Sequence, residues 1–272
     1  MEVTTKATLS EMTGVGDDLK RVSDLAFARI CHSYDRELLD SIEKQARQLA
    51  QEFFPEHDAS SEERFLGLRH LREAQRRIPE VDQLMTDSRR LEALSELAET
   101  ELAPYPVARA SAHINFYRPG EVPIEYHTDG AAMVELIPLA ATGTTNGGGT
   151  MVYRGAPEDG EYRLARGQAF RCDELERIPQ DTTHSVLMQG RRLLHRAESF
   201  PDGERLTLVF ALEAVTEPWK DDNTLMRLLL DDPLETVLDD WVSQARRRAD
   251  LYMQTRRPNA MAGTDDGGVA TR

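Results

Sequence analysis

The run AHINFYRPGEVPIEYHTDG, from Ala112 to Gly130, is where the texture of the chain changes. It opens on a β-rich segment, Ala112 to Tyr117, that Pro119 and Gly120 bring to an end. Further short β-rich runs follow at Met133 to Leu139, Gly149 to Tyr153 and Leu206 to Leu212, punctuated by glycine and proline. Strands this short, interrupted this often, predict an antiparallel sandwich or barrel rather than parallel βαβ units, so residues 107–215 read as a jelly roll. Outward from this zone the spacing is helical. Asp35 to Phe54 places Leu38, Leu39, Ile42, Ala46 and Leu49 on one face. Ser88 to Leu102 carries Leu91, Leu94, Leu97 and Leu102, with Pro104 and Pro106 as stops. Helical spacing returns in Thr224 to Leu230 and in Leu234 to Met253. The reading is an α+β chain with a mainly β core: a jelly roll with flanking N- and C-terminal helices. Its parts are a flexible leader (1–18), a helical region packing on the barrel (19–104), a catalytic core (105–216), C-terminal helices (217–257) and a disordered tail (258–272).

The 272 residues are enough for one large domain or two small ones. With 17 glycines, 2 cysteines and no apolar run near the roughly 20 residues of a membrane span, collagen-like, disulfide-scaffold and membrane-spanning classes are excluded. The 33 basic and 48 acidic residues give a net charge of −15, which repels phosphate backbones and anionic membrane surfaces. The expected partner is therefore a small molecule, with no nucleic acid and no membrane. Met1 to Gly16 lacks a basic flank followed by an apolar stretch, and Cys31 and Cys172 lie far apart, so a cytoplasmic location with two reduced thiols is predicted. No residue pattern speaks to the oligomeric state.

Chemistry begins at His127-Thr128-Asp129. In an extended stretch side chains two apart share a face, so this imidazole and carboxylate can grip one cation. A third ligand has two candidates downstream, His184 and His195. His195 is preferred because Leu193 to Arg196 enters a strand, Pro201-Asp202-Gly203 turns, and Arg205 to Phe210 returns, a hairpin that sets His195 and Arg205 on neighbouring strands of one sheet. Arg205, aimed into a barrel from an otherwise apolar strand, needs an anion, and a bidentate carboxylate suits its planar fork. His184 follows the loop Gln180 to Thr183 and has no arginine at a matching offset. Two histidines and one carboxylate, with open positions remaining, are the signature of non-haem Fe(II) oxygenases. A structural zinc would need a fourth ligand, which neither cysteine is spaced to supply.

With a His-x-Asp pair, a distant His and an Arg ten positions beyond it, the sequence resembles the Fe(II)/2-oxoglutarate-dependent dioxygenase superfamily over about 107–215. A second piece, Asn115-Phe116-Tyr117-Arg118-Pro119-Gly120, resembles the Asn-x-Tyr-x-x-Gly segment of several of its branches. The resemblance implies a double-stranded β-helix, with Fe(II) held by His127, Asp129 and His195 and with Arg205 on the distal carboxylate of 2-oxoglutarate. It also implies hydrogen bonds to this cosubstrate from Asn115 and Tyr117, and Thr207 matches the Arg-x-Ser/Thr pairing of some branches. The activity implied, with O2 as the other cosubstrate, is hydroxylation of a C–H bond in a small polar molecule such as a free amino acid or natural-product intermediate. Related halogenases carry a small residue where Asp129 stands, so its carboxylate argues for oxygen transfer. An oxidative demethylase of a macromolecule, using the same iron centre, and a non-catalytic jelly-roll binding module are the alternatives.

Each residue also has an ordinary reading. Asp129-Gly130 is a turn signal, His195 fits a core histidine, and Arg205 has Glu198 and Glu204 within reach of a cross-hairpin ion pair. His70, His113 and His184 read as structural. Thr145 to Gly149 opens into a β-rich run and not a helix, so it reads as a mobile turn rather than a phosphate cradle. Arg246-Arg247-Arg248 reads as a solvated helix face. Substrate contacts are expected from outside the barrel motifs, in the helical first hundred residues with Arg64 to Arg72 and in the insert near 143–149.

Overall fold

The structure, a computed structural model, describes residues 1–15, 21–53, 69–120, 125–142, 147–230 and 232–256. Its strands in chain order are β1 (Glu2–Thr8), β2 (Leu25–Cys31), β3 (Arg69–Arg72), β4 (Leu102–Pro104), β5 (Ala112–Tyr117), β6 (Met133–Thr142), β7 (Thr150–Tyr153), β8 (Leu175–Ile178), β9 (His184–Met188), β10 (His195–Ala197) and β11 (Glu204–Ala214). They form two antiparallel sheets. The larger runs β1-β2-β9-β6-β11-β5-β3, with β4 also on β11, and the smaller runs β10-β7-β8. Its helices are α1 (Leu9–Thr13), α2 (Arg36–Phe53), α3 (Ala74–Arg77), α4 (Pro79–Met85), α5 (Ser88–Ala98), α6 (Ala108–Ser111), α7 (Pro157–Ala165), α8 (Leu225–Leu228) and α9 (Leu234–Arg256), and the longer ones, α2, α5 and α9, lie where helical spacing predicts them. Among the described residues no helix is long and apolar enough to cross a membrane.

Strand β11 organises the core because its two faces differ. Leu206, Leu208 and Phe210 join Ile114 of β5 and Leu39, Ile42 and Ala46 of α2 in one buried cluster. Val209 and Ala211, on the opposite face, pack with Phe27, Val186 and Met188 of the large sheet and with Val152 and Ile178 of the small one. The two sheets therefore face each other, with a helical layer behind the larger. Each fully buried Leu or Phe contributes about 1.5–3 kcal/mol.

Several sequence expectations shift. The leader is not flexible over its first part, since β1 pairs with β2 and a short helix, Leu9–Thr13, buries Leu9 and Met12. Thr8 and Glu11 form a capping box at its start. The region 19–104 also contains strands β2, β3 and β4. Strand β2, LAFARIC, is buried along almost all of its length and so shows little apolar–polar alternation. Helix α5 stops at Ala98 because Glu99 turns left-handed (φ 53), and Leu102 begins β4 instead, opposite Ala214. Residues 258–272, expected as a disordered tail, lie outside the described residues. Cys31 and Cys172 are both free.

Glu135 sits near the start of β6 with no exposure. Arg90 of α5 donates to its Oε2 from Nε at 2.8 Å and Nη2 at 2.5 Å, the Tyr34 hydroxyl donates to Oε1 at 2.6 Å, and the guanidinium stacks on Phe210 at 4.4 Å. Burial beside this carboxylate pushes the Tyr34 phenol well above its ordinary range. Removing one partner strands the other charge in an apolar layer, so Glu135→Ala should cost about 3–5 kcal/mol in urea unfolding, and adding Arg90→Met should recover part of that loss.

Candidate functional site

His127 and His195 are joined by a single antiparallel bridge, each backbone N–H donating to the other's carbonyl at 2.9 Å. Their rings lie side by side, with centroids 4.4 Å apart. The His127 Nδ1–H donates to the Glu125 carbonyl and the His195 Nδ1–H to the Leu193 carbonyl, both at 2.9 Å. A carbonyl only accepts, so both rings are held as Nδ1–H tautomers with the Nε2 lone pairs bare. Asp129 completes the group, its Oδ1 3.7 Å from His127 Nε2 and its Oδ2 3.6 Å from His195 Nε2. The possible ligand atoms lie within 4.8 Å of one another, in the one such group among the described residues. His-x-Asp is not in a regular strand, as the sequence suggested; outside the bridge at His127 the segment 125–132 is irregular.

These atoms suit a cation. Burial and the neighbouring His195 push the His127 imidazole down to about 4, so it is neutral at neutral pH. Asp129 Oδ2 is buried and has no hydrogen-bond partner. Lone pairs from two imidazoles and a carboxylate thus converge with no donor between them, which costs free energy until a positive charge fills the gap. A metal ion bound in this way would keep open positions for other ligands. The shell behind is tight: Asp129 N–H donates to the Gly190 carbonyl at 3.1 Å, and a Cβ on Gly190 would fall 1.8 Å from Asp129 Oδ2. Arg227 donates to the Thr128 carbonyl between the two ligands, and the Asp222 N–H donates to the Gly130 carbonyl at 2.8 Å.

His195 and Arg205 do not share a sheet, contrary to the hairpin expectation. His195 belongs to β10 and Arg205 to β11, because the connection between them carries the chain from one sheet to the other instead of folding back on its own strand. The two strands are nonetheless linked, because Arg205 reaches across to Gly149 beside β7, and β7 pairs with β10 through His195 and Val152. Arg205 lies on the inner face of β11, 1% exposed, and its Nη1 donates across to the Gly149 carbonyl at 2.9 Å, just before β7. The ion pairs that would make it ordinary are absent: Glu198 accepts from Arg177 and the Gly149 N–H, and Glu204 pairs with Arg47. Its guanidinium stacks on Tyr117 at 4.3 Å, its Nε is buried without a partner, and burial lowers its pKa. A buried cation in this state calls for an anion.

Register brings the remaining site candidates beside it. Arg205, Thr207 and Val209 pair with Tyr117, Asn115 and His113, and β3 places His70 opposite Asn115. Asn115 Nδ2 donates to the Tyr117 hydroxyl at 3.2 Å, and Thr207 Oγ1 is buried without a partner. Burial lowers the pKa of His70, to about 4, and that of His113 well below the ordinary imidazole value. His184 stands apart, bonded to Asp181 at 2.8 Å at the start of β9. Residues 143–146 and 64–68 are outside the described residues. Of the glycine run, Gly147 and Gly149 have their carbonyls held by Arg177 and Arg205. Arg247 and Arg248 are not merely solvated: they pair with Glu213 and Asp221. Gly190 and Arg227 escape the sequence reading, and His70 is read there only as structural, since their contacts join segments far apart in sequence.

No family model matches the sequence, and no curated protein matches it. Solved structures do. HygX from Streptomyces hygroscopicus, with nickel and 2-oxoglutarate bound, superposes with TM-score 0.53 at 12% identity, covering 70% of this chain and 83% of its own. AviO1 from Streptomyces viridochromogenes Tue57 gives 0.51 at 18% identity, with 69% and 89% covered. SnoK, a non-haem α-ketoglutarate-dependent carbocyclase from nogalamycin biosynthesis, gives 0.50 at 14% identity, with 69% and 79% covered. At these identities the likeness shows the fold alone, one found in HygX, solved with 2-oxoglutarate bound, and in the α-ketoglutarate-dependent SnoK.

The contact behind Asp129 can be tested directly. Gly190→Ala should drive the carboxylate out of line with the two imidazoles, and calorimetric titration with Mn(II) should show affinity about 10- to 100-fold below wild type.

Proposed function

We propose that this chain is an Fe(II)- and 2-oxoglutarate-dependent oxygenase on a double-stranded β-helix, or jelly roll, that hydroxylates a C–H bond of a small polar molecule such as a free amino acid or natural-product intermediate. One observation carries the reading: three acceptors converge at His127, Asp129 and His195, and a buried arginine with no ion-pair partner among the described residues reaches from the large sheet to Gly149, beside the strand that pairs with that of His195. A cation and a dicarboxylate together would neutralise both. His127, Asp129 and His195 hold the iron. Arg205 clamps the distal carboxylate of 2-oxoglutarate, with hydrogen bonds from Tyr117, Asn115 and the otherwise orphaned Thr207 hydroxyl. When bound, the iron with 2-oxoglutarate and O2 supplies the oxidant for C–H cleavage, with succinate and CO2 as co-products.

The protein's own residues do the aiming. The two backbone carbonyls fix the imidazole tautomers, so no reorganisation is needed when the metal arrives. Arg205, held by Gly149 and Tyr117, fixes the far end of the cosubstrate and thereby the direction from which it meets the metal. Asp129 would ligate the metal with its carboxylate where the related halogenases carry a small residue, which favours oxygen transfer. A polar small-molecule substrate is supported by the −15 charge and by a related fold, HygX, solved with hygromycin B bound.

His127→Ala and His195→Ala should abolish iron-dependent succinate formation from 2-oxoglutarate; turnover at the wild-type level in either would remove the triad. Arg205→Ala should raise the half-saturating concentration of 2-oxoglutarate about 10- to 100-fold, the loss of a charged hydrogen-bond clamp. A mass-spectrometric screen of amino acids and biosynthetic intermediates should then reveal a substrate that gains one oxygen atom only with iron and 2-oxoglutarate present.

A further inference from the structure

We infer that His70, which lies outside every motif, is a positioning residue that fixes the direction of the hydrogen-bond chain His70–Asn115–Tyr117 so that it ends in a donor at the Arg205 anion site. The inference rests on the functional reading above, since the anion there is taken to be 2-oxoglutarate. An asparagine amide has nearly the same shape either way round, so its neighbours decide which end is oxygen. Here the His70 Nδ1 lies 2.6 Å from Asn115 Oδ1, and the Asn115 Nδ2 lies 3.2 Å from the Tyr117 hydroxyl. An amide oxygen only accepts, so His70 carries its proton on Nδ1 and donates.

The consequence runs along the sheet. Asn115 Nδ2 donates into the Tyr117 hydroxyl oxygen, which leaves that hydroxyl's own hydrogen free to be donated onward. Tyr117 lies under the Arg205 guanidinium and is its direct partner in the β5–β11 register. Three donors in series then point toward the carboxylate that Arg205 holds, and each polarises the next. Turned over, the amide would accept from Tyr117, and the hydroxyl would meet the carboxylate with a lone pair. His70 Nε2 fits this assignment, because it is buried without a partner, as a bare lone pair can be at less cost than an N–H. The placement comes from backbone register, since β3 sets His70 opposite Asn115 and β11 sets Thr207 on its other side.

Side-chain 15N spectra of the imidazole-labelled wild type, with His70 assigned through His70→Gln, should show the Nδ1–H tautomer; an Nε2–H tautomer overturns the inference without any variant having to fold. Calorimetry with the Mn(II)-loaded protein gives a second reading. His70→Phe should weaken 2-oxoglutarate binding about tenfold with Mn(II) affinity unchanged, and His70→Gln, which keeps an N–H donor, should stay within about threefold of wild type. Tyr117→Phe should cost less in the His70→Phe background than alone. Unchanged 2-oxoglutarate affinity in His70→Phe, equal weakening in both His70 variants, or full additivity with Tyr117→Phe overturns the positioning role. Mn(II)-loaded wild type that takes up no 2-oxoglutarate overturns the functional reading and this inference with it.

Discussion

Among the described residues, neither Asp129 nor the buried Arg205 is paired with a side chain of fixed opposite charge. Asp129 presents a buried, unpartnered oxygen beside two imidazole lone pairs, and Arg205 is enclosed with no ion pair to a carboxylate among the described residues. Isolated charges at such depth are costly, and natural cores avoid them unless something compensates. The compensation available here is chemical rather than structural: a cation at the triad and an anion at Arg205. The arrangement is therefore poised to gain most when both bind together, because each ligand neutralises a separate cost.

That cost is tolerated because the same strands are stabilised on their other face. In β11, Leu206, Leu208 and Phe210 lock into the helical layer, while Arg205 and Thr207 alternate with them toward the site. A slip of one residue would bury Arg205 among α2 and β5 side chains and turn Leu206 and Leu208 into the polar space, so the apolar face fixes the register that the polar face needs. The buried Arg90–Glu135–Tyr34 network, on the outer side of β6, anchors α5 to the sheet. Stability and chemistry are thus divided by face, not by domain.

Much of the site was legible in the sequence because its signals are local or rest on simple offsets. His127 with Asp129, Asn115 with Tyr117, and Arg205 with Thr207 are each two residues apart, and β5 was read with its observed ends. What failed were inferences about which strands neighbour which. Residues 195 and 205 flank a turn signal, yet the chain there changes sheets, and no residue type marks the difference between a hairpin and a crossing. Strands β1 and β2 were missed because one is largely exposed and the other almost wholly buried, so neither shows clear alternation. The Thr8 and Glu11 capping box was a readable sign of order in the supposed leader. His70 was read as structural because its neighbour in space, Asn115, is set by the pairing of a four-residue strand that composition does not announce.

The C-terminal helices, which sequence spacing located without giving them a purpose, acquire one from the irregular shape of the ligand segment. Residues 125–132 gain only one bridge pair from the sheets, so most of their backbone groups must find partners elsewhere. Gly190 accepts from Asp129, and the segment after β11 supplies two more. Arg227 takes the Thr128 carbonyl, the Asp222 N–H takes the Gly130 carbonyl, and Asn223 lies so close to Gly130 that a Cβ there would fall 1.6 Å from its Oδ1. Trp241 of α9 donates to the Asn223 carbonyl at 3.2 Å, so the long helix holds the brace that holds the loop. Strand alternation would by itself set His127 and Asp129 on one face; the loop braced from the C-terminal side keeps both turned toward His195 without a ladder.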